Sequence, residues 1–173
     1  MSRLWLASPV GPLVLEERDG VIVRIDWAAP DAAPPGRAGD GGNAETALLR
    51  EAAAQLAAWF AGDRKTFELP LAPAGSDFRR RVWAAMAEIP YGETETYGAL
   101  AGRAGMKAGA ARAVGGACGA NPIPIVLPCH RVVGANGGAG GYSGGNARKG
   151  GVWDGLRTKA ALLDIERRNA RLL

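Results

Sequence analysis

Cys129 and His130 are adjacent in the run Pro128-Cys129-His130-Arg131-Val132-Val133. The chain contains two cysteines and a single histidine, so its one imidazole directly follows one of its two thiols. A thiol is a good nucleophile only as the thiolate, and a neighbouring imidazole is the usual means of removing its proton. The pair therefore indicates a reactive cysteine at position 129.

Cys118, the other thiol, has no histidine near it in sequence, and we interpret it as a packing residue. Two cysteines do not form a disulfide framework, and a four-ligand zinc site needs more Cys or His side chains than this chain has. We therefore expect no bound metal, no cofactor and a reduced, cytoplasmic setting.

The bulk composition is that of an ordinary globular protein, with 173 residues of which 47% are hydrophobic and 22% are charged. No apolar run approaches the length that crosses a bilayer, and the stretch after Arg3 is too short for a signal peptide. These features predict no association with a membrane.

Charge is divided unevenly along the chain. Residues 1–75 carry seven Lys and Arg against ten Asp and Glu, whereas residues 76–173 carry fourteen against seven. A basic second half indicates either a surface that faces a polyanion such as DNA or a solvated basic face. Charge alone leaves both interpretations open.

The predicted elements that position the thiol fall into an N-terminal and a C-terminal group, and the N-terminal group has an α/β pattern. Residues 3–27 contain three short β-prone runs separated by turn residues, and a loop rich in Pro, Gly, Ala and Asp follows over 28–42. Asn43 is the predicted cap of a helix over 44–61, whose apolar side chains recur at steps of three and four. This pattern predicts an α/β domain over residues 1–69.

Residues 70–75 are interpreted as a linker to a second, mainly helical domain over 76–173. Ser76 is the predicted cap of the first helix of that domain. The predicted buried face of this helix consists of Phe78, Val82, Trp83, Met86 and Ile89.

Two short helices follow, one over 97–104 with Thr96 as its cap and one over 108–120, joined by a turn that contains Gly105. Short helices joined by a tight glycine turn in a basic region are typical of a helix-turn-helix. A purely structural helical hairpin fits the same pattern equally well.

The second short helix is made almost entirely of Ala and Gly, with Arg112 as its only charged side chain. A helix that reads base sequence needs groups that reach base edges, and this one has almost none. On DNA it would approach the duplex closely and bind with tolerance for sequence, mainly through phosphate contacts. Alternatively, it packs tightly inside the protein.

Residues 123–128 combine prolines with aliphatic side chains, which predicts an extended, largely buried segment leading to Cys129. A glycine-rich loop is expected over 134–155, followed by a last amphipathic helix over 156–171. The predicted buried residues of this last helix are Leu162, Leu163 and Ile165.

Motifs in residues 76–166 occur in an order that matches one protein family. They are Phe78, Val82-Trp83, Ile89-Pro90-Tyr91-Gly92-Glu93, Thr96-Tyr97, Ala111-Arg112-Ala113-Val114-Gly115, Asn121-Pro122-Ile123-Pro124, Pro128-Cys129-His130-Arg131-Val132, Gly141-Tyr142-Ser143-Gly144-Gly145 and Lys159-Ala160-Ala161-Leu162-Leu163 with Glu166. With these motifs the chain resembles the O6-alkylguanine–DNA alkyltransferases (methylated-DNA–protein-cysteine methyltransferases). The resemblance implies a ribonuclease H-like α/β N-terminal domain, with a small antiparallel sheet plus a helix, followed by a mainly α domain with a helix-turn-helix.

The resemblance also implies a reaction. Cys129 would take the alkyl group from O6 of guanine, with O4-alkylthymine as a further candidate substrate, and would keep it as a stable thioether. His130 would deprotonate Cys129 through a water, Glu166 would orient His130, and Asn121 would brace the active-site turn. Without the resemblance, Asn121 reads as an ordinary turn residue and Glu166 as a solvated helix residue.

The implied partner is double-stranded DNA with alkylated bases, bound by a monomer through the minor groove. A base inside a duplex is out of reach of a buried thiol and must be flipped out, which costs roughly a few kcal/mol. Arg112 would fill the vacated space in the stack and Tyr97 would press on the neighbouring phosphate. Ala113 and Gly115 would let the small helix approach the groove closely.

The same resemblance assigns a pocket for the flipped base. Tyr142 and Ser143 would contact the guanine near O6, with Tyr142 donating a hydrogen bond, and Pro124 would line the pocket. The backbone of Val132 would recognise the amino edge of the base. Read by itself, Tyr142 is simply an aromatic residue in a loop.

Residues 146–155 depart from the family pattern because they lengthen the loop beside the substrate residues. This added segment is basic and glycine-rich and contains Trp153, which looks exposed in sequence. Our hypothesis is that it touches DNA or covers the pocket.

Three other functions compete with alkyl transfer. A non-catalytic helix-turn-helix protein that senses lesions would lack the reactive cysteine that is present here at Cys129. A thiol hydrolase usually brings its Cys and His together from distant parts of the sequence. A transcription regulator needs base-reading side chains on its second helix.

Overall fold

The structure is a computed structural model that describes residues 1–32, 45–107, 109–138, 140, 142–145 and 147–171. Its first element is a three-stranded antiparallel sheet in the order β1-β2-β3, and this bears out the predicted β region. The strands are β1 (Ser2–Leu6), β2 (Leu13–Arg18) and β3 (Val21–Trp27). β3 lies at an edge of the sheet, on the side that meets the second half of the chain.

Helix α1 (Ala47–Ala61) packs on the sheet and begins later than predicted. Its cap is Thr46, whose Oγ1 accepts a hydrogen bond of 3.1 Å from the amide of Leu49. The predicted start at residue 44 was therefore wrong, because Thr46 supplies the same capping chemistry closer to the helix. Asn43 and most of the predicted loop over 28–42 lie outside the described residues.

Helix α2 (Asp77–Ala87) begins as predicted. Ser76 Oγ accepts from the amide of Arg79 at 3.3 Å, and the predicted face is buried except for Phe78, which is partly buried. Trp83 Nε1 donates to Ala117 O at 2.8 Å and so joins α2 to a later helix.

The two short helices are α3 (Tyr97–Arg103) and α4 (Ala111–Gly119), and they pack against each other and against α2. Thr96 caps α3 as predicted, accepting from the amide of Ala99 at 3.1 Å. The predicted span 108–120 for the second helix was too long, because the chain still turns at Gly109 and Ala110 and no side chain of the described residues caps α4.

Residues 123–128 form a turn, so the predicted extended segment was wrong. Leu127 N donates to Ile123 O at 2.9 Å, and Ile125 has a φ of 75°. The Asn121 side chain closes this turn by accepting from Ile123 N and donating to Leu127 O. The predicted burial is nevertheless correct, because Ile123, Ile125 and Leu127 are all buried.

A short strand pair and a last α-helix complete the strands and α-helices of the described residues. A short parallel pair, β4 (Glu95–Thr96) with β5 (Val132–Val133), was not predicted and fixes the segment after Cys129 beside the start of α3. Helix α5 (Gly155–Ala170) lies within one residue of its predicted ends and is capped by Asp154. It buries Leu162, Leu163 and Ile165 as expected, and also Thr158, Lys159 and Glu166.

Side chains from both halves of the chain form one continuous hydrophobic core, which includes Trp27, Trp59 and Trp83. Strand β3 is linked directly to the second half, because Ile25 N donates to Pro122 O at 2.9 Å. In the described residues, no helix is both long enough and apolar enough to span a membrane.

Candidate active site

Cys129 begins a 3-10 turn over Cys129–Arg131, directly before β5, and is only 5% exposed. Asn121 Nδ2 donates to Cys129 Sγ at 3.2 Å and to Leu127 O at 2.8 Å. One amide side chain therefore closes the preceding turn and contacts the thiol. The structure thus places the Asn121 side chain between the turn and the thiol.

His130 and Glu166 meet in the core. His130 Nε2 lies 2.8 Å from Glu166 Oε1, and both side chains are fully buried. The neutral imidazole that donates from Nε2 to the carboxylate carries its lone pair on Nδ1. In the described part of the chain Nδ1 has no hydrogen-bond partner, and this orphaned nitrogen is the basic atom of the pair.

Glu166 is held as a carboxylate by several donors, so its reading as a solvated residue was wrong. Arg131 binds it through Nε and Nη2 at 2.8 to 3.1 Å, and Gly92 N donates to Oε2 at 3.0 Å. Burial on its own raises the pKa of Glu166, but the hydrogen bond from His130 and the pair with Arg131 outweigh it and lower the pKa to about 2.

Burial shifts the pKa values of Cys129 and His130 in opposite directions. It raises the pKa of the Cys129 thiol, although Asn121, Tyr142 and Lys159 each act to lower it. It lowers the pKa of His130 despite the partner carboxylate Glu166. At neutral pH the site therefore holds a thiol and a neutral imidazole, and the imidazole is free to accept a proton.

Lys159 is a site residue that sequence reasoning missed. Its side chain is fully buried, and Nζ donates to Val132 O at 2.5 Å and lies 3.5 Å from Tyr97 Oη. Burial lowers the pKa of Lys159, and the two cysteines act to raise it. The signal in the sequence was the position of Lys159, one helical turn before Leu162 and Leu163. This spacing places the three side chains on the same buried face of α5.

Cys118 is also a buried free thiol. Burial, followed by the charge of Cys129, raises the pKa of Cys118 to about 12. This environment suits the predicted packing role and disfavours a nucleophile.

A cavity of about 250 Å³ opens onto Cys129. Five predicted site residues line it, namely Cys129, Asn121, Pro124, Tyr142 and Ser143. Val132 does not line it, because this residue is fully buried and its carbonyl accepts from Lys159. The cavity wall also contains residues 24–27 of β3, which sequence reasoning did not place in the site.

Tyr142 places a buried hydroxyl beside the thiol. In the described residues, its Oη has no hydrogen-bond partner of good geometry, yet it is near enough to Cys129 for each group to shift the pKa of the other. Burial, followed by the Cys129 sulfur, raises the pKa of Tyr142 well above its ordinary value. Tyr142 is therefore a proton-bearing donor at neutral pH. Ser143 Oγ donates to Gly119 O at 2.7 Å.

A groove of about 560 Å³ runs from this cavity along α4. It shares Gly119, Tyr142 and Ser143 with the cavity and is lined further by Tyr97, Ala111, Arg112, Gly115 and Arg148. Ala113 is exposed on α4 but does not line the groove. Three of the four predicted DNA-binding residues thus lie together beside the cavity mouth.

The added loop lies between the groove and the sheet. In its 3-10 turn Ala147–Lys149, Arg148 lines the groove, and Lys149 Nζ binds Asp26 Oδ2 at 3.2 Å and the carbonyl of Trp27. Trp153 is partly buried against the core, with Arg157 5.0 Å from the ring centre, so its exposed appearance in sequence was misleading.

The described residues contain no group of three or more His, Cys, Asp and Glu side chains that is placed to hold a metal ion.

Comparison with known proteins matches both halves of the chain to one family. A model of the DNA-binding domain of 6-O-methylguanine DNA methyltransferase matches residues 77–168, and a model of the ribonuclease-like domain of the same family matches residues 4–73.

Individual relatives agree with these matches. The methylated-DNA–protein-cysteine methyltransferase of Mycolicibacterium paratuberculosis is 44% identical over 163 residues, covering 94% of this chain and 90% of that protein. The protein of the same name from Methanosarcina acetivorans is 54% identical over 98 residues, covering 57% of this chain and 62% of that protein.

Solved structures give the same result. The OGT of Mycobacterium tuberculosis in complex with DNA is 39% identical with a TM-score of 0.77, and the match covers 95% of this chain and 92% of that chain. Because matched family models extend over both halves of the sequence and the fold agrees, this chain belongs to the 6-O-methylguanine DNA methyltransferase family.

Proposed function

We propose that this chain repairs DNA as a methylated-DNA–[protein]-cysteine S-methyltransferase. It transfers the alkyl group on O6 of guanine directly and irreversibly to Sγ of Cys129, one group per protein molecule. The observation that carries this proposal is the buried Cys129 at a cavity that opens into the groove along α4, next to the His130–Glu166 pair. A lesion-binding protein without chemistry would have no use for this arrangement.

The transfer is a displacement at carbon. The Cys129 thiolate attacks the alkyl carbon, an S–C bond forms, and the C–O6 bond breaks with its electron pair going to the guanine. The proton lost by Cys129 ends on the guanine, so unmodified guanine and a protein thioether are the only products. A thioether has no ready leaving group, and therefore the protein reacts once.

Thiolate formation is assigned to His130 acting through a water. Adjacent residues in a 3-10 turn point their side chains apart, which makes direct contact between Cys129 and His130 awkward. The unpartnered Nδ1 of His130 supports a bridging water as the proton acceptor. Glu166 stabilises the imidazolium that forms, because it stays ionised at neutral pH.

Tyr142 is assigned to the leaving group. Its buried hydroxyl lies near the sulfur and keeps its proton at neutral pH. It can therefore donate a hydrogen bond to the guanine oxygen or nitrogen where negative charge develops. Lys159 is close enough to lower the pKa of Cys129 and so favours the thiolate.

Duplex DNA is assigned to the groove along α4, in the minor-groove mode and without sequence preference. The exposed face of α4 carries Arg112, Ala113, Gly116 and Gly119. A Cβ added at Gly116 or Gly119 would meet no atom of the described residues within 4 Å, so packing inside the protein does not require glycine there. Small residues on an outer face support close approach to a partner.

The proposal includes base flipping. Arg112 lines the groove beside the cavity mouth, where it can occupy the gap left by the flipped guanine. Tyr97 lines the same groove and is assigned to the neighbouring phosphate. Arg148, on the added loop, supplies a further cation for the DNA backbone. Pro124 and Ser143 stay assigned to the base pocket.

The proposed domain limits are 1–69 and 76–173 with a linker at 70–75, in a monomer. The first domain supports the site, because the Trp59 ring on α1 packs edge-on against His130 at 5.8 Å between ring centres. Two free cysteines, one of them the nucleophile, suit the reducing cytoplasm.

The test is alkylation in a single turnover. After incubation with a duplex containing O6-methylguanine, mass spectrometry should find one added methyl on the peptide that holds Cys129. Cys129→Ala should abolish transfer yet leave DNA binding largely intact, whereas Cys118→Ala should still be methylated. Methylation of Cys118, more than one turnover, or tight binding without any transfer would contradict the proposal.

A further inference from the structure

The cavity at Cys129 has a wall that comes from the N-terminal sheet. Residues Arg24, Ile25, Asp26 and Trp27 of β3 line it opposite the segment that contains Asn121, Pro122 and Pro124. β3 is an edge strand, and its outer edge bonds to residues 70–72 at Ile22 and to the active-site segment at Ile25. The sheet is therefore a direct part of the pocket.

This wall is fixed to the catalytic half by backbone and side-chain bonds. Ile25 N donates to Pro122 O at 2.9 Å, next to Asn121. Further along the strand, Lys149 of the added loop binds the carbonyl of Trp27 and the carboxylate of Asp26. Trp27 also packs edge-on against Tyr142, with ring centres 6.3 Å apart.

Burial gives the cavity a closed end and an open end. Cys129 is 5% exposed and Trp27 is 2% exposed. By contrast, the side chains of Arg24 and Asp26 are 56% and 45% exposed. Besides its opening into the groove along α4, the cavity therefore has an open end at Arg24 and Asp26, and its volume of about 250 Å³ is shared by the flipped guanine and the alkyl group.

The charges at the open end do not balance. Asp26 lies against two cations, Lys149 at 3.2 Å and Arg24 at 3.6 Å, and its other carboxylate oxygen accepts from the amide of Trp27 at 2.8 Å. Lys149 is the closer partner of Asp26. The Arg24 guanidinium is thus the weaker-held cation at the mouth, where it can pair with another anion.

We infer that the edge of β3 forms the outer end of the alkyl subsite, and that Arg24 favours O6 adducts that end in an anionic group, such as carboxymethyl. This inference rests on the proposed function, since it names a substrate class for the same pocket. The chemical step does not change: the S–C bond forms, the C–O6 bond breaks, and the carboxylate stays on the transferred group.

The experiment compares two nearly isosteric lesions in the same duplex, O6-carboxymethylguanine and the neutral O6-carbamoylmethylguanine. The measured quantity is the ratio of their single-turnover rate constants for transfer to Cys129. Intrinsic reactivity cancels when this ratio is compared between variants. Arg18→Gln, which removes an exposed arginine at the end of β2, is the matched control.

The two charges at the mouth should shift the ratio in opposite directions. Arg24→Gln should lower it by about two- to fivefold, the size expected of a partly exposed ion pair. Asp26→Asn should raise it, because both cations then face the adduct. Arg18→Gln should leave it at the wild-type value, and added salt should reduce the wild-type preference.

The outcomes separate this inference from the function on which it rests. If the wild type alkylates Cys129 with both adducts, and the ratio is the same in Arg24→Gln and Asp26→Asn, the subsite is wrong while alkyl transfer stands. If no alkyl group reaches Cys129 from any lesion, methyl included, both are overturned.

Discussion

At the level of single residues, burial keeps the nucleophile and its base uncharged until the proton moves. The pKa of Cys129 is raised and that of His130 is lowered, so charge separation inside the core is deferred to the reaction itself. Glu166 is the opposite case, because Arg131 and His130 hold it ionised in a fully buried place. Its charge therefore supports both catalysis and the fold.

Glu166 should make the stability of the protein depend on pH in the acid range. Its pKa is about 2 in the folded protein against an ordinary value of 4.5. Because the folded pKa is the lower one, the stabilisation is complete above pH 4.5 and is lost as the pH falls from 4.5 towards 2. Glu166→Gln should lower the unfolding free energy by about 3–5 kcal/mol at pH 7, since it leaves Arg131 unpaired.

Urea unfolding of both proteins from pH 3 to pH 7 measures this effect. The difference between wild type and Glu166→Gln should narrow on going below the ordinary glutamate pKa. Glu93→Gln, at an exposed glutamate, is the control and should stay within about 0.5 kcal/mol of wild type. A difference that is constant across the whole range would contradict the assigned ionisation.

Lys159 should set the pH at which Cys129 becomes reactive. Its charge lowers the pKa of the thiol, and methionine has a similar shape without the charge. Lys159→Met should slow transfer from free O6-benzylguanine about tenfold near pH 7.5, as expected for a rise of about one pKa unit. The difference in transfer rate between Lys159→Met and the wild type should shrink as the pH is raised.

The control for this change is Lys107→Met, which removes an exposed lysine. It should leave the pH profile of alkylation as it is in the wild type. A slower Lys159→Met variant with an unshifted profile would show that Lys159 only supports the fold.

At the level of elements, the small residues of α4 lower helix stability but allow the helix to approach DNA closely. Gly116 is exposed, and a side chain there meets no atom of the described residues within 4 Å. Gly116→Leu should therefore stabilise the protein by about 0.5–1 kcal/mol through helix propensity. The same side chain should weaken binding to duplex DNA at least about tenfold by holding α4 away from the groove.

Thermal or urea unfolding and a DNA-binding titration give the two readouts. Ala57→Leu, at an exposed small residue on α1, is the matched control and should not weaken DNA binding. If Gly116→Leu bound DNA as tightly as wild type, another surface would have to carry the duplex.

Sequence predicted those elements whose signals are local. Ser76 and Thr96 cap α2 and α3 as expected, because an N-cap needs only one side chain and the amide three residues later. The turn at 123–128 and the β4–β5 pair were not predicted, since both depend on partners that the fold brings together. For the same reason the Cys129 and His130 pair was evident in sequence, whereas the Arg131 contact to Glu166 was not.

At the level of the whole molecule, the N-terminal half reaches the active site at three places. Trp59 packs against His130, β3 walls the cavity, and Asp26 holds the loop that carries Lys149. None of these contacts involves a sequence motif with recognisable chemistry. The sequence therefore did not predict that the N-terminal half contributes to the active site. These contacts also place Arg148 between the sheet and the groove.

The uneven charge of the chain should appear in the salt dependence of DNA binding. Fourteen Lys and Arg lie in residues 76–173 against seven Asp and Glu, and Arg112 and Arg148 line the groove. Each phosphate contact that is lost should reduce the slope of log affinity against log salt by about 0.9. Arg148→Gln should therefore weaken binding at low salt and flatten the slope by about one unit.

The control is Arg18→Gln, which should change neither quantity because Arg18 lies on the sheet. A wild-type slope in Arg148→Gln would mean that the added loop does not touch the DNA backbone.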